Sequence, residues 1–162
     1  MSRVLVLEGK VKMESCVKLI HDLRRLAGES NDDIVLFINS PGGHTTAGFA
    51  VSDAIKMLSC DVRTVGYGKI MSAAALIFTS GTKGKRVIAP SATLMFHQPS
   101  GQIELDNGSM EIVKREKEHA CQVLANNMGK TIGEIESSTE WDLYLNAMDA
   151  VEYGAADTIL SH

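Results

Sequence analysis

Val62-Arg63-Thr64-Val65-Gly66-Tyr67-Gly68-Lys69-Ile70-Met71-Ser72-Ala73-Ala74-Ala75-Leu76-Ile77-Phe78-Thr79 is the stretch on which the fold turns. Val62 to Tyr67 is an apolar, β-branched run and predicts a strand. Ser72 to Thr79 is apolar without alternation and predicts a helix. Between them lies a short turn that opens on Gly68. Upstream, Arg3 to Glu8 predicts a strand, and Lys12 to Leu26 a helix with apolar spacing at Val17, Leu19, Ile20, Leu23 and Leu26. Ala27 to Asp33 is a polar stop. Ile34-Val35-Leu36-Phe37-Ile38 is a continuous apolar run, the pattern of a strand buried on both faces of a parallel sheet. Ser40-Pro41-Gly42-Gly43 is a tight turn, and Thr46 to Leu58 a second helix. The order β-α-β-α-β-α predicts an α/β fold around a parallel sheet, with any site at the carboxyl ends of its strands. The turns at Ser40–Gly43 and Gly68–Ser72 fall at two such ends.

Downstream, Arg86 to Ile88 and Thr93 to Phe96 predict two short strands, and Gln98 to Ser109 is polar. Met110 to Met128 predicts a long helix with Glu111–Arg115 and Lys114–Glu118 spaced for ion pairs. Thr131-Ile132-Gly133-Glu134 is a capping box that starts another helix. Leu143 to Leu145 predicts a strand, Asn146 caps a helix over Ala147 to Tyr153, Gly154 stops it, and Asp157 to Leu160 closes the fold. With no internal repeat and no linker, residues 1–162 read as one domain.

Composition narrows the function classes. The chain has 162 residues, a net charge of −4 and 44% hydrophobic residues, which argues against disorder and against nucleic acid as a partner. Its longest strictly apolar run, Ala73 to Phe78, is far short of a membrane span. Cys16, Cys60 and Cys121 are odd in number and lack CxxC spacing, so reduced thiols in a cytoplasmic setting are expected, with no disulfide framework and no zinc site. His21, His44, His119 and His162 have no metal-ligand spacing, and no metal or cofactor is expected.

Ser72 admits two readings. It is a helix N-cap, for which serine is a preferred residue. Alternatively it is a nucleophile on a strand-to-helix turn, with Ala73, Ala74 and Ala75 small enough to leave its hydroxyl uncovered. In the second case the helix N-terminus supplies N–H groups for a developing oxyanion.

The motifs beyond this stretch decide between them. Ile38-Asn39-Ser40-Pro41-Gly42-Gly43, Thr46-Ala47-Gly48, Gly68-x-x-x-Ser72, Gly84-Lys85-Arg86, Met95-Phe96-His97-Gln98-Pro99, Thr139-Glu140-Trp141-Asp142 and Ala150-Val151-Glu152-Tyr153-Gly154 occur in that order. Together they resemble the ClpP family, the proteolytic subunit of ATP-dependent Clp proteases, over about Arg3 to Ser161. The resemblance implies a crotonase-like spiral of βα units with a protruding strand–helix handle over about residues 98–128. It implies a serine endopeptidase with Ser72 as nucleophile, His97 as general base and Asp142 orienting His97. The chemistry is coherent, since a serine hydroxyl needs a base and a carboxylate fixes the base's tautomer. Gly43 and Ala73 would supply the oxyanion-hole N–H groups. An extended, unfolded protein or peptide would lie between Gly43-His44-Thr45-Thr46 and Gln98-Pro99-Ser100-Gly101, adding a strand to each. The partners implied are copies of the chain in a heptameric ring, in the family stacked as two rings, and a Clp-type AAA+ ATPase.

The chain departs from the family at several places. Only Met1 and Ser2 precede the first strand, where members carry a segment that lines the axial pore, so a divergent member is expected. Lys69-Ile70-Met71 replaces Gln-Ala-Ala before the nucleophile, Ala73 replaces methionine, and Ser100 replaces leucine, which should alter side-chain preference. Trp141 replaces an arginine of the ring–ring ion pairs; an indole carries no charge. Three other readings compete: a catalytically silent structural subunit of a mixed ring, a crotonase-type acyl-CoA enzyme, and a Ser–Lys peptidase using Lys69.

Overall fold

A computed structural model of the chain describes residues 2–98 and 107–161. It is a mixed α/β fold whose first half follows the expected alternation. Strand β1 (Val4–Glu8) leads to helix α1 (Met13–Glu29), β2 (Ile34–Ser40), α2 (Thr45–Lys56), β3 (Val62–Met71) and α3 (Ala73–Thr79). Then come β4 (Arg86–Ile88), β5 (Thr93–Phe96), α4 (Asn107–Met128), α5 (Ile132–Ser138), β6 (Leu143–Leu145), α6 (Ala147–Tyr153) and β7 (Thr158–Ile159). The sheet runs β1-β2-β3-β4-β7, with β5 and β6 branching from β3. Every pairing among the described strands is parallel except β5 with β6.

Strand β3 is longer than its apolar run. Thr64–Gly66 pairs with Arg86–Ile88, and after Gly68 the strand switches partner, so that Lys69–Met71 pairs with Thr93–Met95. Gly68 makes the switch with φ of +62°, where a Cβ would lie 2.6 Å from Asn39 Oδ1. The predicted turn over Gly68–Ser72 is therefore a kinked strand followed by a one-residue elbow. The kink brings β5 beside the end of β3, and β5 carries His97 at its carboxyl end.

Strand β2 corrects the expectation of two covered faces. Ile34, Leu36, Ile38 and Ser40 are buried, while Val35, Phe37 and Asn39 between them are half-buried. The same face of the sheet continues onto β1, where Val4 and Val6 are exposed. Leu36 and Ile38 point to the main core, a single cluster that joins Leu19, Leu23 and Leu26 of α1 to Val51 of α2, Phe78 of α3 and Leu124 of α4.

Helix ends follow local chemistry. Thr131 Oγ1 accepts from the Glu134 N–H at 3.2 Å, and the Glu134 carboxylate accepts from the Thr131 N–H at 2.7 Å. Asn146 accepts from the Asp149 N–H, and Gly154 stops α6 in the left-handed conformation. Helix α4 begins at Asn107, three residues before the expected start at Met110. The strand half of the expected handle lies outside the described residues.

Candidate active site

Three strand ends meet at the site. Met71 of β3 is in register with Met95 of β5, and the Ser72 N–H donates to the Met95 carbonyl at 2.9 Å. Phe96 of β5 is opposite Leu143 of β6 in an antiparallel pair. One step beyond each, His97 and Asp142 face each other. Topology alone thus gathers Ser72, His97 and Asp142 from segments far apart in the chain.

Ser72 has φ of 55° and ψ of −121°, and among the described residues no other non-glycine residue has a positive φ. A side chain in that region strains the backbone by about 1–3 kcal/mol. As the N-cap position of α3 its hydroxyl makes no capping bond. It lies instead 2.7 Å from His97 Nε2. The capping reading is thereby overturned: the hydroxyl is turned away from its own helix and toward a base. Removing the strain should stabilise the fold. Ser72→Gly is expected to raise the unfolding free energy by about 1 kcal/mol, strain relief offset by glycine's backbone entropy. A urea melt checks this, and an unchanged or lower midpoint would contradict it.

The other side of His97 is looser. Its Nδ1 is 3.7 Å from Asp142 Oδ1, beyond hydrogen-bond distance, and the Asp142 side chain is 55% exposed. Trp141 beside it is the most exposed large apolar side chain of the described residues, at 82%. Lys69 is exposed on β3, and nothing joins it to Ser72, whose hydroxyl is taken by His97.

The Ser40–Gly43 turn packs directly on this elbow. A Cβ on Gly42 (φ +92°) would lie 2.6 Å from the Met71 carbonyl and 2.8 Å from Ser72 Cβ. Only glycine allows so close an approach. On its far side the turn is bridged to the chain after β1. The Val11 N–H donates to the Gly42 carbonyl, and the His44 N–H donates to the Val11 carbonyl, both at 2.9 Å. That bridge uses the groups flanking Gly43, so the Gly43 N–H faces away from Val11. Gly43 is exposed, and a Cβ there would lie 2.2 Å from the Val11 carbonyl. The Ala73 N–H, at the first turn of α3, is among those a helix leaves without an intrahelical acceptor. Gly43 thus adjoins the Gly42 that packs on Ser72, and Ala73 follows Ser72 directly.

Of the expected peptide-binding residues, Thr45 lines a small cleft beside Ser72, while His44 and Thr46 are exposed at the start of α2. Gln98 is half-buried and reaches the Glu136 carbonyl at 3.5 Å. Pro99, Ser100 and Gly101 lie outside the described residues. Sequence reading passed over Val11, which holds the Gly43 turn, and gave no separate role to Asn39 of the matched motif, whose side chain accepts from the Lys69 N–H at 3.1 Å and shapes the kink. Neither carries chemistry of its own, and only the adjacent glycines hinted at a close approach. The sequence model described as Clp protease matches residues 1–162.

Proposed function

The chain belongs to the Clp protease family, and from that premise we propose that it is a serine endopeptidase acting on unfolded proteins or peptides. The observation that carries the proposal is the 2.7 Å contact between Ser72 Oγ and His97 Nε2 at a strained elbow. In this reading His97 takes the Ser72 proton as Oγ attacks the scissile carbonyl. The oxyanion forms between the Gly43 and Ala73 N–H groups. His97 then passes the proton to the leaving amine as the C–N bond breaks. Water, deprotonated by the same histidine, releases the acyl group from Ser72. Asp142 orients His97 and stabilises its charged form without touching the substrate.

The incomplete cover of one face of β1 and β2 supports the assembly half of the proposal, in which copies of the chain form a ring. Val4, Val6, Val35 and Phe37 offer an apolar sheet face to a neighbouring copy. A Clp-type ATPase would deliver unfolded chains to such a ring. Cys16, Cys60 and Cys121 are free and buried, which suits the reducing cytoplasm.

The test is the digest of a reduced, unfolded protein in water enriched in heavy oxygen. Internal cleavage, with the label in each new carboxyl group, is the expected result. A digest without new termini would overturn it. A second reading, a silent subunit of a mixed ring, is favoured by the 3.7 Å gap between His97 and Asp142; it predicts an intact digest. Asp142→Asn separates the two further. If the carboxylate only orients the base, kcat should fall by about 10²- to 10⁴-fold with KM unchanged. A rise in KM alone would place Asp142 in substrate binding instead.

A further inference from the structure

We propose that Asn39 is a positioning residue, whose side-chain oxygen holds open the bulge in β3 that sets Ser72 against His97. The inference rests on the peptidase reading and adds a residue to its machinery. The register of β2 and β3 locates the bulge. Ile38 is paired with Gly66 and Ser40 with Ile70, so two steps of β2 span four of β3, and Asn39 stands opposite the surplus. A bulge re-aims the chain that follows it. Little chain follows here: Ile70 and Met71 pair with Leu94 and Met95 of β5, and Ser72 is next. At about 3.3 Å per residue, closing a two-residue bulge would slide Ser72 by about 6–7 Å past β2. Partial relaxation is enough to matter, since a displacement of about 1 Å at a reacting group can cost about 10²-fold in rate.

The bulge is held by one amide oxygen. The Lys69 N–H lies within it and donates to Asn39 Oδ1 at 3.1 Å. A backbone N–H can only donate, so Asn39 turns its oxygen to β3 and not its Nδ2. Gly68 leaves room for that oxygen, which a Cβ there would meet at 2.6 Å. Among the described residues no other side chain bonds the backbone of Tyr67–Lys69. Asn39 is itself anchored from β1, where the Gly9 N–H donates to its carbonyl at 3.1 Å. It acts on Ser72 only through the three residues from Lys69 to Met71.

The experiment compares labelling by an alkyl fluorophosphonate in the wild type and in variants at position 39, followed by intact mass. In that step the Ser72 Oγ–P bond forms, the P–F bond breaks, fluoride leaves and His97 takes the serine proton. Rates are taken per folded molecule, with the folded fraction from circular dichroism. Asn39→Leu matches the side chain in size and has no acceptor; Asn39→Asp keeps the oxygen. Glu8 is in register with Asn39 and would face a new carboxylate. Asn39→Asp is therefore also made together with Glu8→Gln, which still accepts from the Tyr67 hydroxyl. Asn39→Leu is expected to label about 10- to 100-fold slower than the wild type, and at least one aspartate variant at the wild-type rate. A role in packing alone would favour leucine over aspartate and would lower the urea midpoint without changing the rate per folded molecule. Wild-type labelling by Asn39→Leu would overturn the proposal, as would aspartate variants no faster than leucine. If Asn39→Leu does not fold, Asn39→Ala decides in its place, and loss of the fold in both would overturn positioning in favour of structural support. An unlabelled wild type would overturn the peptidase reading and this inference with it.

Discussion

Ser72→Ala is expected to lower kcat/KM for peptide hydrolysis by about 10³- to 10⁶-fold, the range seen when a serine nucleophile is removed from a working triad. The size of the loss follows from the geometry. The proposal routes every covalent step through this hydroxyl, which lies 2.7 Å from His97 Nε2. The fold should survive the change, because the side-chain hydroxyl makes no cap to α3. Far-UV circular dichroism and a urea melt would confirm an intact protein. A folded Ser72→Ala variant with full activity would remove the proposal at its root. Ser72→Gly should be equally inactive and more stable, which would separate the cost of the strained elbow from its use.

Asp157→Ala is expected to be the most damaging single change for stability. Arg86 is 2% exposed, and its guanidinium bonds both Asp157 oxygens, at 2.9 Å from Nε and 2.7 Å from Nη2. The same carboxylate accepts the Gly84 N–H at 2.8 Å and the Arg86 N–H at 2.9 Å. Arg86 Nη1 donates to the Asn127 carbonyl, so the pair links β4 and the chain entering β7 to α4. Removing the carboxylate strands a buried charge, at about 3–5 kcal/mol. In a chain of this size that should lower Tm by on the order of 10 °C. Burial alone would push the Asp157 carboxyl up, but the Arg86 side chain and the Arg86 and Gly84 N–H groups outweigh it and hold it below its ordinary value. A carboxyl with a depressed folded-state pKa stabilises the fold above its unfolded value, about 3.9. That stability is lost as pH falls through the lower folded value. Urea midpoints should therefore drop in acid for the wild type and less steeply for Asp157→Ala. Equal midpoints for the two proteins at neutral pH would contradict the account.

The alternation of elements was legible because apolar period and turn residues agree along the first half of the chain. Ile34 to Ile38 cannot be a surface helix, and the Pro41-Gly42-Gly43 turn that follows stops the strand. Two features were not legible. The extension of β3 to Met71 depends on a change of partner at Gly68, which pattern within one segment does not encode. The half-covered face of β2 depends on where the helices pack, and a continuous apolar run reads alike for a face covered by helices and one left open. At the site, Ser72 was ambiguous from its own segment, since a cap and a nucleophile both call for a hydroxyl before a helix. The matched motifs pointed to His97 and Asp142, but only the β5–β6 register explains why residues that far apart face each other. The open His97–Asp142 contact could not be foreseen, because a motif specifies residues and not distances.

The central claim is that His97 activates Ser72, and it is tested most directly by the rate of phosphonylation. Wild type and His97→Ala would each be incubated with an alkyl fluorophosphonate and followed by intact mass, with the adduct located by peptide mapping. The account predicts one adduct on the wild type, at Ser72, and labelling slower by at least about 10²-fold in the variant, the contribution of a positioned general base. An unlabelled wild type, or equal rates in the two proteins, would contradict it.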